Sequence, residues 1–176
     1  METSIHINTE NIRECAKTLR AGDGILLSGT VYTARDAAHK KICALIEEGK
    51  ELPFPLEDAV IYYAGPTPAP EGRPIGSCGP TTSSRMDGFA PLLTDMGLAA
   101  TIGKGGRSES VRQALKRNGA LYLCAVGGAG AIAAKAVQSV EVIAFPELGC
   151  EAVRRMEIKD FPLIVGIDAL GNTILK

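Results

Sequence analysis

The sequence has no tryptophan, only four phenylalanines and four tyrosines, and almost no net charge. Its formal net charge is −1 at pH 7, so the chain lacks the basic surface that attracts nucleic acid or an anionic membrane. The scarcity of aromatic rings also argues against the stacking of bases. We therefore expect no nucleic-acid partner.

Long apolar runs are missing as well. No uninterrupted stretch approaches the roughly 20 apolar residues that a membrane-spanning helix needs. The first residues lack the basic start and apolar segment of a secretory signal, so we expect a cytoplasmic protein with no membrane partner. With 176 residues, of which 45% are hydrophobic and 22% charged, the composition is typical of one globular domain over residues 1–176.

The five cysteines are too far apart to form a familiar metal-binding motif. They are Cys15, Cys43, Cys78, Cys124 and Cys150. Because there is no C-x-x-C pair, the sequence predicts neither a zinc site nor an iron–sulfur cluster on this chain. An odd number of cysteines predicts reduced and mostly buried thiols. We interpret Cys78 as structural, since no histidine follows it closely enough in sequence to activate it.

What the sequence does contain is a hydroxyl-rich stretch, residues 76–87, which reads GSCGPTTSSRMD. Gly79-Pro80 predicts a turn, and the hydroxyl residues after it are typical of a helix N-cap, where free backbone N–H groups attract an anion. Arg85 adds a planar guanidinium that can hold a carboxylate through two parallel bonds. The alternative is an ordinary capped helix with a surface arginine.

A second stretch upstream repeats this order of features. A short buried strand over residues 25–29 is followed by Thr33, which we expect to cap a helix that runs to about Glu48. Arg35 and His39 lie four residues apart in that helix, so their side chains leave the same side of its first turns.

Both residues of this second stretch have a plainer explanation. Arg35 could pair with Asp36 or with another surface acid, and His39 could be a half-buried polar contact without a catalytic role. A further cation, Lys104, follows a predicted strand in a short glycine loop that lacks the P-loop spacing.

A glycine-rich turn later in the chain resembles a dinucleotide fingerprint. Gly128-x-Gly130-x-x-Ala133 follows a predicted strand, and Glu147 stands about twenty residues on. Only about thirty residues remain after it, too few for the second half of such a fold. We therefore interpret the glycines, including Gly127, as a tight strand-to-helix turn.

Short strands bracket helices along the whole chain, which predicts an α/β domain of the layered β/β/α kind. Near the end, a turn around residues 168–172 predicts a hairpin between Pro162–Ile167 and Thr173–Leu175.

The chain resembles the β subunit of class I iron–sulfur fumarate hydratases and of L(+)-tartrate dehydratases, and the C-terminal domain of their single-chain relatives. The segments TARDAAH at 33–39 and GPTTSSRMD at 79–87 carry the resemblance, together with IGKG at 102–105 and FPELG at 145–149. It implies a swivelling β/β/α domain with a mixed sheet. It also implies a hydro-lyase, active in the reversible hydration of fumarate to malate or in the dehydration of tartrate.

The resemblance further implies a divided active site. This chain would bind no cofactor, and a [4Fe–4S] cluster would lie on a partner α subunit in an α2β2 assembly. Four residues would contact the small dicarboxylate substrate: Arg35, Thr81, Arg85 and Lys104. Thr81 would be a candidate for proton transfer, and His39 would orient Arg35 or carry a proton. The sequence leaves open a different class of function, a non-catalytic carboxylate-binding or regulatory module.

Overall fold

The computed structural model describes residues 4–126 and 128–176. In this part of the chain there are seven strands: β1 Ile5–Asn8, β2 Gly24–Thr33, β3 Val60–Tyr62, β4 Ala100–Gly103, β5 Leu121–Ala125, β6 Val137–Ala144 and β7 Val153–Ile167. The five α-helices are α1 Ile12–Ala16, α2 Asp36–Glu47, α3 Ala90–Asp95, α4 Glu109–Asn118 and α5 Ala129–Ala136. Short 3-10 turns cover Thr9–Asn11, Ser83–Met86 and Pro146–Glu151.

The described strands form one mixed sheet. Strands β1 to β5 lie side by side in chain order and run parallel. Strand β7 runs antiparallel to three partners: β2 along most of its length, β6 near its start and β5 near its end. Because β7 joins β5 back to β2, the hydrogen bonding closes into a ring of β2, β3, β4, β5 and β7.

Alternating side chains divide the parallel strands between two cores. On β3, Val60 and Tyr62 face a core that is shared with β7, whereas Ile61 faces a core that is shared with α2 and α3. A third cluster joins α4 to the outer face of β5. The parallel strands therefore lie between an antiparallel layer and a helical layer. This arrangement confirms the predicted α/β fold with a layered, mixed sheet.

Strand β2 does not end at Gly29, as the sequence suggested. Gly29 has a φ of 115° and lies at a register shift against β7, so it forms a bulge and the strand continues to Thr33. A Cβ at Gly29 would overlap the Thr9 hydroxyl, so only glycine fits there. Thr33 is therefore a buried strand residue, and the helix cap that was expected there is Arg35.

The hydroxyl-rich stretch also differs from its prediction. It forms only the four-residue 3-10 turn Ser83–Met86, whose N-cap, Thr82, makes no side-chain capping bond. Such a short turn offers no helix N-terminus for an anion.

The hairpin predicted between Pro162–Ile167 and Thr173–Leu175 is only partly formed. Its first strand is the end of the 15-residue strand Val153–Ile167. The expected hairpin survives as a single bridge between Ile167 and Thr173, closed by a turn around the buried Asp168. The bend at Asp160, where φ is 51°, lets the strand pass from one set of partners to another. No helix among the described residues is long and apolar enough to cross a membrane.

Candidate active site

The predicted site residues meet at one edge of the sheet because they follow neighbouring parallel strands. Arg35 comes two residues after the end of β2, and Lys104 comes directly after β4. The segment that carries Thr81 and Arg85 belongs to the long connection that follows β3. The carboxyl ends of parallel strands are where α/β folds gather ligand-binding groups. The topology therefore brings together three cations and a hydroxyl that are far apart in sequence.

The side chain of Arg35 lies against the loop that follows β3. A Cβ on Gly65 would stand 2.8 Å from Nη1 of Arg35 and 3.1 Å from the carbonyl oxygen of Cys150. A residue larger than glycine would therefore displace the guanidinium. The Nε of Arg35 is buried and has no hydrogen-bond partner among the described residues. Its N–H is therefore an unsatisfied buried donor, which in a native structure calls for an explanation.

His39 is buried behind Arg35, with 1% of its surface exposed. Its Nδ1 lies 2.8 Å from the carbonyl oxygen of Arg35, so the neutral ring donates that proton to the carbonyl. The rings of Tyr63 and Phe89 pack on the imidazole, with their centroids 5.6 and 5.5 Å from its own. Burial lowers the pKa of His39 to about 4, which keeps the ring neutral. Of the two predicted roles, this geometry favours the orienting one.

Arg85 connects the two arginine-bearing stretches directly. Its Nη2 donates to Oδ2 of Asp36 at 2.6 Å, with half of the Arg85 side chain exposed. Asp36 is thus the partner of Arg85, which removes one of the plainer alternatives for Arg35, a pair with Asp36. The pair holds the 3-10 turn beside the start of α2, and it uses only one of the nitrogens of Arg85.

The backbone joins Thr81 and Lys104 to the same edge. The N–H of Thr81 donates to the carbonyl of Tyr63 at 2.7 Å. Thr82 forms a parallel bridge with Lys104, and the N–H of Ser83 donates to the carbonyl of Lys104 at 2.9 Å. Lys104 is exposed, and it lines a cavity of about 370 Å³. The other residues that line this cavity include Gly79, Pro80, Gly128 and Gly130.

The structure explains one of the glycines of the apparent dinucleotide fingerprint by packing. A Cβ on Gly130 would stand 2.5 Å from the hydroxyl of Ser77, and the carbonyl of Gly130 accepts the N–H of Cys78 at 3.3 Å. Strand β6, which follows α5, pairs antiparallel with β7 and not parallel with β5. Gly128 and Gly130, at the start of α5, therefore do not lie in a parallel β-α-β unit. Gly127 lies outside the described residues.

The cysteines do not gather. Cys78 is buried, and burial raises the pKa of its thiol to about 12, as suits a structural residue. The prediction of mostly buried thiols is only partly right, because Cys150 is exposed and the other three are half-buried. Over residues 4–126 and 128–176, no three histidine, cysteine or acidic side chains group in a way that could hold a metal ion. These residues do not fit an iron–sulfur cluster.

Sequence reasoning missed Arg107. Its side chain is completely buried beneath the edge that carries Lys104 and the 3-10 turn, and it pairs with Asp87. The sequence offers no signal for it, since an arginine just before a helix N-cap is ordinarily exposed. Only the tertiary structure surrounds it with aromatic rings and polar partners.

Comparison with known proteins agrees with the resemblance. The sequence profile of the family described as Fumarase C-terminus matches residues 1–176. Fumarate hydratase 2 of Leishmania major is 42% identical over 165 residues, which are 93% of this chain and 29% of that protein. The anaerobic class I fumarate hydratase of Escherichia coli K12 is 44% identical over 152 residues, 85% of this chain and 28% of that protein.

A shorter relative matches along most of its length. The protein named "Putative L(+)-tartrate dehydratase subunit beta" of Methanocaldococcus jannaschii is 39% identical over 166 residues, 91% of this chain and 85% of that protein. The chain thus spans less than a third of the length of the two fumarate hydratases, and most of the length of the tartrate dehydratase subunit.

Proposed function

Because this chain belongs to the fumarase C-terminus family, we propose that it supplies the dicarboxylate-binding half of a hydro-lyase active site. The reaction is the reversible hydration of fumarate to malate, or the corresponding dehydration of L(+)-tartrate. The observation that carries the proposal is the convergence of Arg35, Arg85 and Lys104 at the carboxyl edge of β2 to β4.

The residue types suit the charge that this reaction develops. Removal of a proton from the carbon beside a carboxylate leaves a doubly charged aci-carboxylate, which fixed cations stabilise as it forms. We assign Arg85 and Lys104 to the binding of the substrate's carboxylates, and Arg35 to the reacting one. The free N–H at Nε of Arg35 supports this assignment, since a buried donor without a partner costs about 1–3 kcal/mol that a bound anion would recover.

Thr81 is our candidate for proton transfer. Its N–H donates to the carbonyl of Tyr63, which fixes the backbone of Thr81 at the same edge of the sheet as the cations. An unperturbed threonine hydroxyl is a poor base, and a neighbouring cation favours its deprotonated form.

The other half of the site belongs to a partner in this proposal. The metal chemistry of the reaction is assigned to a [4Fe–4S] cluster on an α subunit, in an α2β2 assembly. One observation supports a partner: the relative that matches over most of its length is named a subunit. In the longer fumarate hydratases that match, a single chain would carry both halves.

The test is reconstitution of the chain with an α subunit under anaerobic conditions, followed by the absorbance of fumarate. Arg85→Ala and Arg85→Lys should each lower kcat/KM by at least about a hundredfold, because lysine keeps the charge but loses the planar fork. Arg117→Lys is the matched control. Arg117 also holds a carboxylate through two nitrogens, with Asp95 at 2.8 and 2.7 Å, but it lies on α4 away from the site.

The outcomes separate the proposal from its alternative. Full turnover by Arg85→Ala would show that Arg85 does not bind the substrate. A chain that binds dicarboxylates alone, and gives no turnover with any α subunit, would instead be a binding or regulatory module.

A further inference from the structure

Arg107 is a fully buried cation that no step of the proposed chemistry uses. None of its side chain is exposed, and each of its three nitrogens donates to a different part of the fold. Nε donates to Asp87 at 2.7 Å, Nη1 to the hydroxyl of Thr101 at 3.1 Å, and Nη2 to the hydroxyl of Tyr63 at 3.2 Å. The guanidinium is therefore held in one orientation.

The surroundings of Arg107 keep it charged. The rings of Tyr63 and Tyr122 face its guanidinium carbon, with their centroids at 5.2 and 4.8 Å from it. Burial by itself would lower the pKa of Arg107, but Tyr63 and Asp87 outweigh burial and raise it. Asp87 is fixed in turn, because its second oxygen accepts the N–H of Ser108 at 2.7 Å.

The partners of Arg107 lead to Arg35 and Thr81. Tyr63 accepts the N–H of Thr81 with its backbone carbonyl, and its ring packs on His39, which holds the carbonyl of Arg35. Tyr63, one of the partners of Arg107, thus contacts Thr81 directly and Arg35 through His39.

The remaining partners lead to Arg85 and Lys104. Asp87 is the C-cap of the 3-10 turn that carries Arg85. The hydroxyl of Tyr122 lies 2.9 Å from that of Ser83 and 2.8 Å from the carbonyl of Gly105, so it joins the same turn to the loop of Lys104.

We propose that Arg107 is a positioning residue, which sets the mutual placement of Arg35, Thr81, Arg85 and Lys104 without touching the substrate. This inference rests on the proposed function of that site. A buried ion pair contributes little net stability compared with a well-packed apolar replacement, so stability alone does not account for a guanidinium at this place. Geometry does, since its planar fork reaches three elements at once and the ammonium of a lysine does not.

The experiment uses the complex with the α subunit and the variants Arg107→Lys and Arg107→Met. Each is measured for kcat, KM and the midpoint of thermal unfolding. A displacement of about 1 Å in catalytic groups costs on the order of a hundredfold in rate. In Arg107→Lys, kcat should therefore fall by about that factor, whereas KM should change far less. Arg107→Met should lose more of kcat than Arg107→Lys. The control is Arg117→Met, which removes an exposed Arg–Asp pair and should keep the parent values of kcat and KM.

A folded Arg107→Lys complex with kcat and KM within about twofold of the parent would overturn the inference. So would activity losses in both variants that disappear once corrected for the folded fraction, because a merely structural residue would behave in that way. If both variants fail to fold, Tyr63→Phe deletes only the hydroxyl that accepts Nη2 of Arg107, and it should still lower kcat at unchanged fold. Parental kcat in folded Tyr63→Phe would then overturn the inference. An inactive parent complex would refute the proposed function and this inference with it, whereas an active parent with indifferent variants refutes the inference alone.

Discussion

Gly103, the last residue of β4, permits a close approach between β4 and the 3-10 turn that carries Arg85. A Cβ at this position would overlap the hydroxyl of Ser83 and would stand 3.0 Å from Cδ2 of Tyr63 and 3.2 Å from Cβ of Ser83. Ser83 is completely buried, and its hydroxyl lies 2.9 Å from that of Tyr122. Gly103→Ala must therefore push the 3-10 turn away from β4, at the residue directly before Lys104.

The size of the effect follows from these contacts. Forcing an extra carbon into a packed core costs about 1–3 kcal/mol. Loss of the Ser83–Tyr122 hydrogen bond adds about 0.5–1.5 kcal/mol. Alanine also reduces the conformational entropy of the unfolded chain, which offsets about 0.4–1 kcal/mol of this destabilisation. We expect the free energy of unfolding to fall by about 2 kcal/mol, the sum of these terms.

Urea unfolding, followed by circular dichroism, measures this change. The matched control is Gly24→Ala, because Gly24 also lies in a strand, has an ordinary φ, and would leave an added Cβ with no heavy atom within 4 Å. Since no clash offsets the reduced freedom of the unfolded chain at Gly24, this control should be more stable than the parent by about 0.4–1 kcal/mol. Ser83→Ala removes the overlapping oxygen, so the double variant should cost less than the sum of the two single variants by about 1 kcal/mol.

Two results would refute this reasoning. One is an equal loss of stability in Gly103→Ala and Gly24→Ala. The other is strict additivity of Gly103→Ala with Ser83→Ala, because it would mean that the two positions do not meet.

Three further predictions concern the network around the site. The folded-state pKa of His39, about 4, lies below its ordinary value of 6.5, so its contribution to stability is complete above pH 6.5 and is lost as the pH falls toward 4. From pH 7 to pH 5 this loss is about 2 kcal/mol, and His39→Asn should reduce the pH dependence of urea unfolding by that amount; an unchanged dependence would contradict it. Tyr122→Phe should lower both stability, by about 1–3 kcal/mol, and kcat in the assembled complex, because Ser83 and Gly105 each lose a buried partner; parental values of both would contradict it. Asp36→Asn should change stability by less than about 1 kcal/mol, since the ion pair is half-exposed, but should raise KM for the dicarboxylate by releasing Arg85; an unchanged KM would show that Asp36 does not orient it.

Local patterns predicted the elements that depend on neighbouring residues. Serine is typical of a helix N-cap and glycine of the position after a helix, and α4 begins after a Ser108 cap and ends at Gly119 with a φ of 63°. Proline is likewise favoured in the first turn of a helix, where α3 has Pro91. The strand boundaries were predicted wrongly where residues distant in sequence determine how far a strand continues. Gly29 continues its strand because β7 pairs along it, and β7 itself is long because β2, β5 and β6 all bind it.

The cations were visible in the sequence because each follows a strand and a glycine, and a family resemblance assigned them a common purpose. Arg35, Thr81, Arg85, Lys104 and His39 were all named in this way, and their roles stay predictions until turnover is measured. The sequence by itself thus determined the family and which residue types stand at the ends of the parallel strands. The tertiary structure alone decided that Asp36 pairs with Arg85, that His39 is buried behind Arg35, and that Arg107 lies beneath them. Those contacts join residues that are distant in the chain, and no local propensity encodes which buried charge will meet which partner.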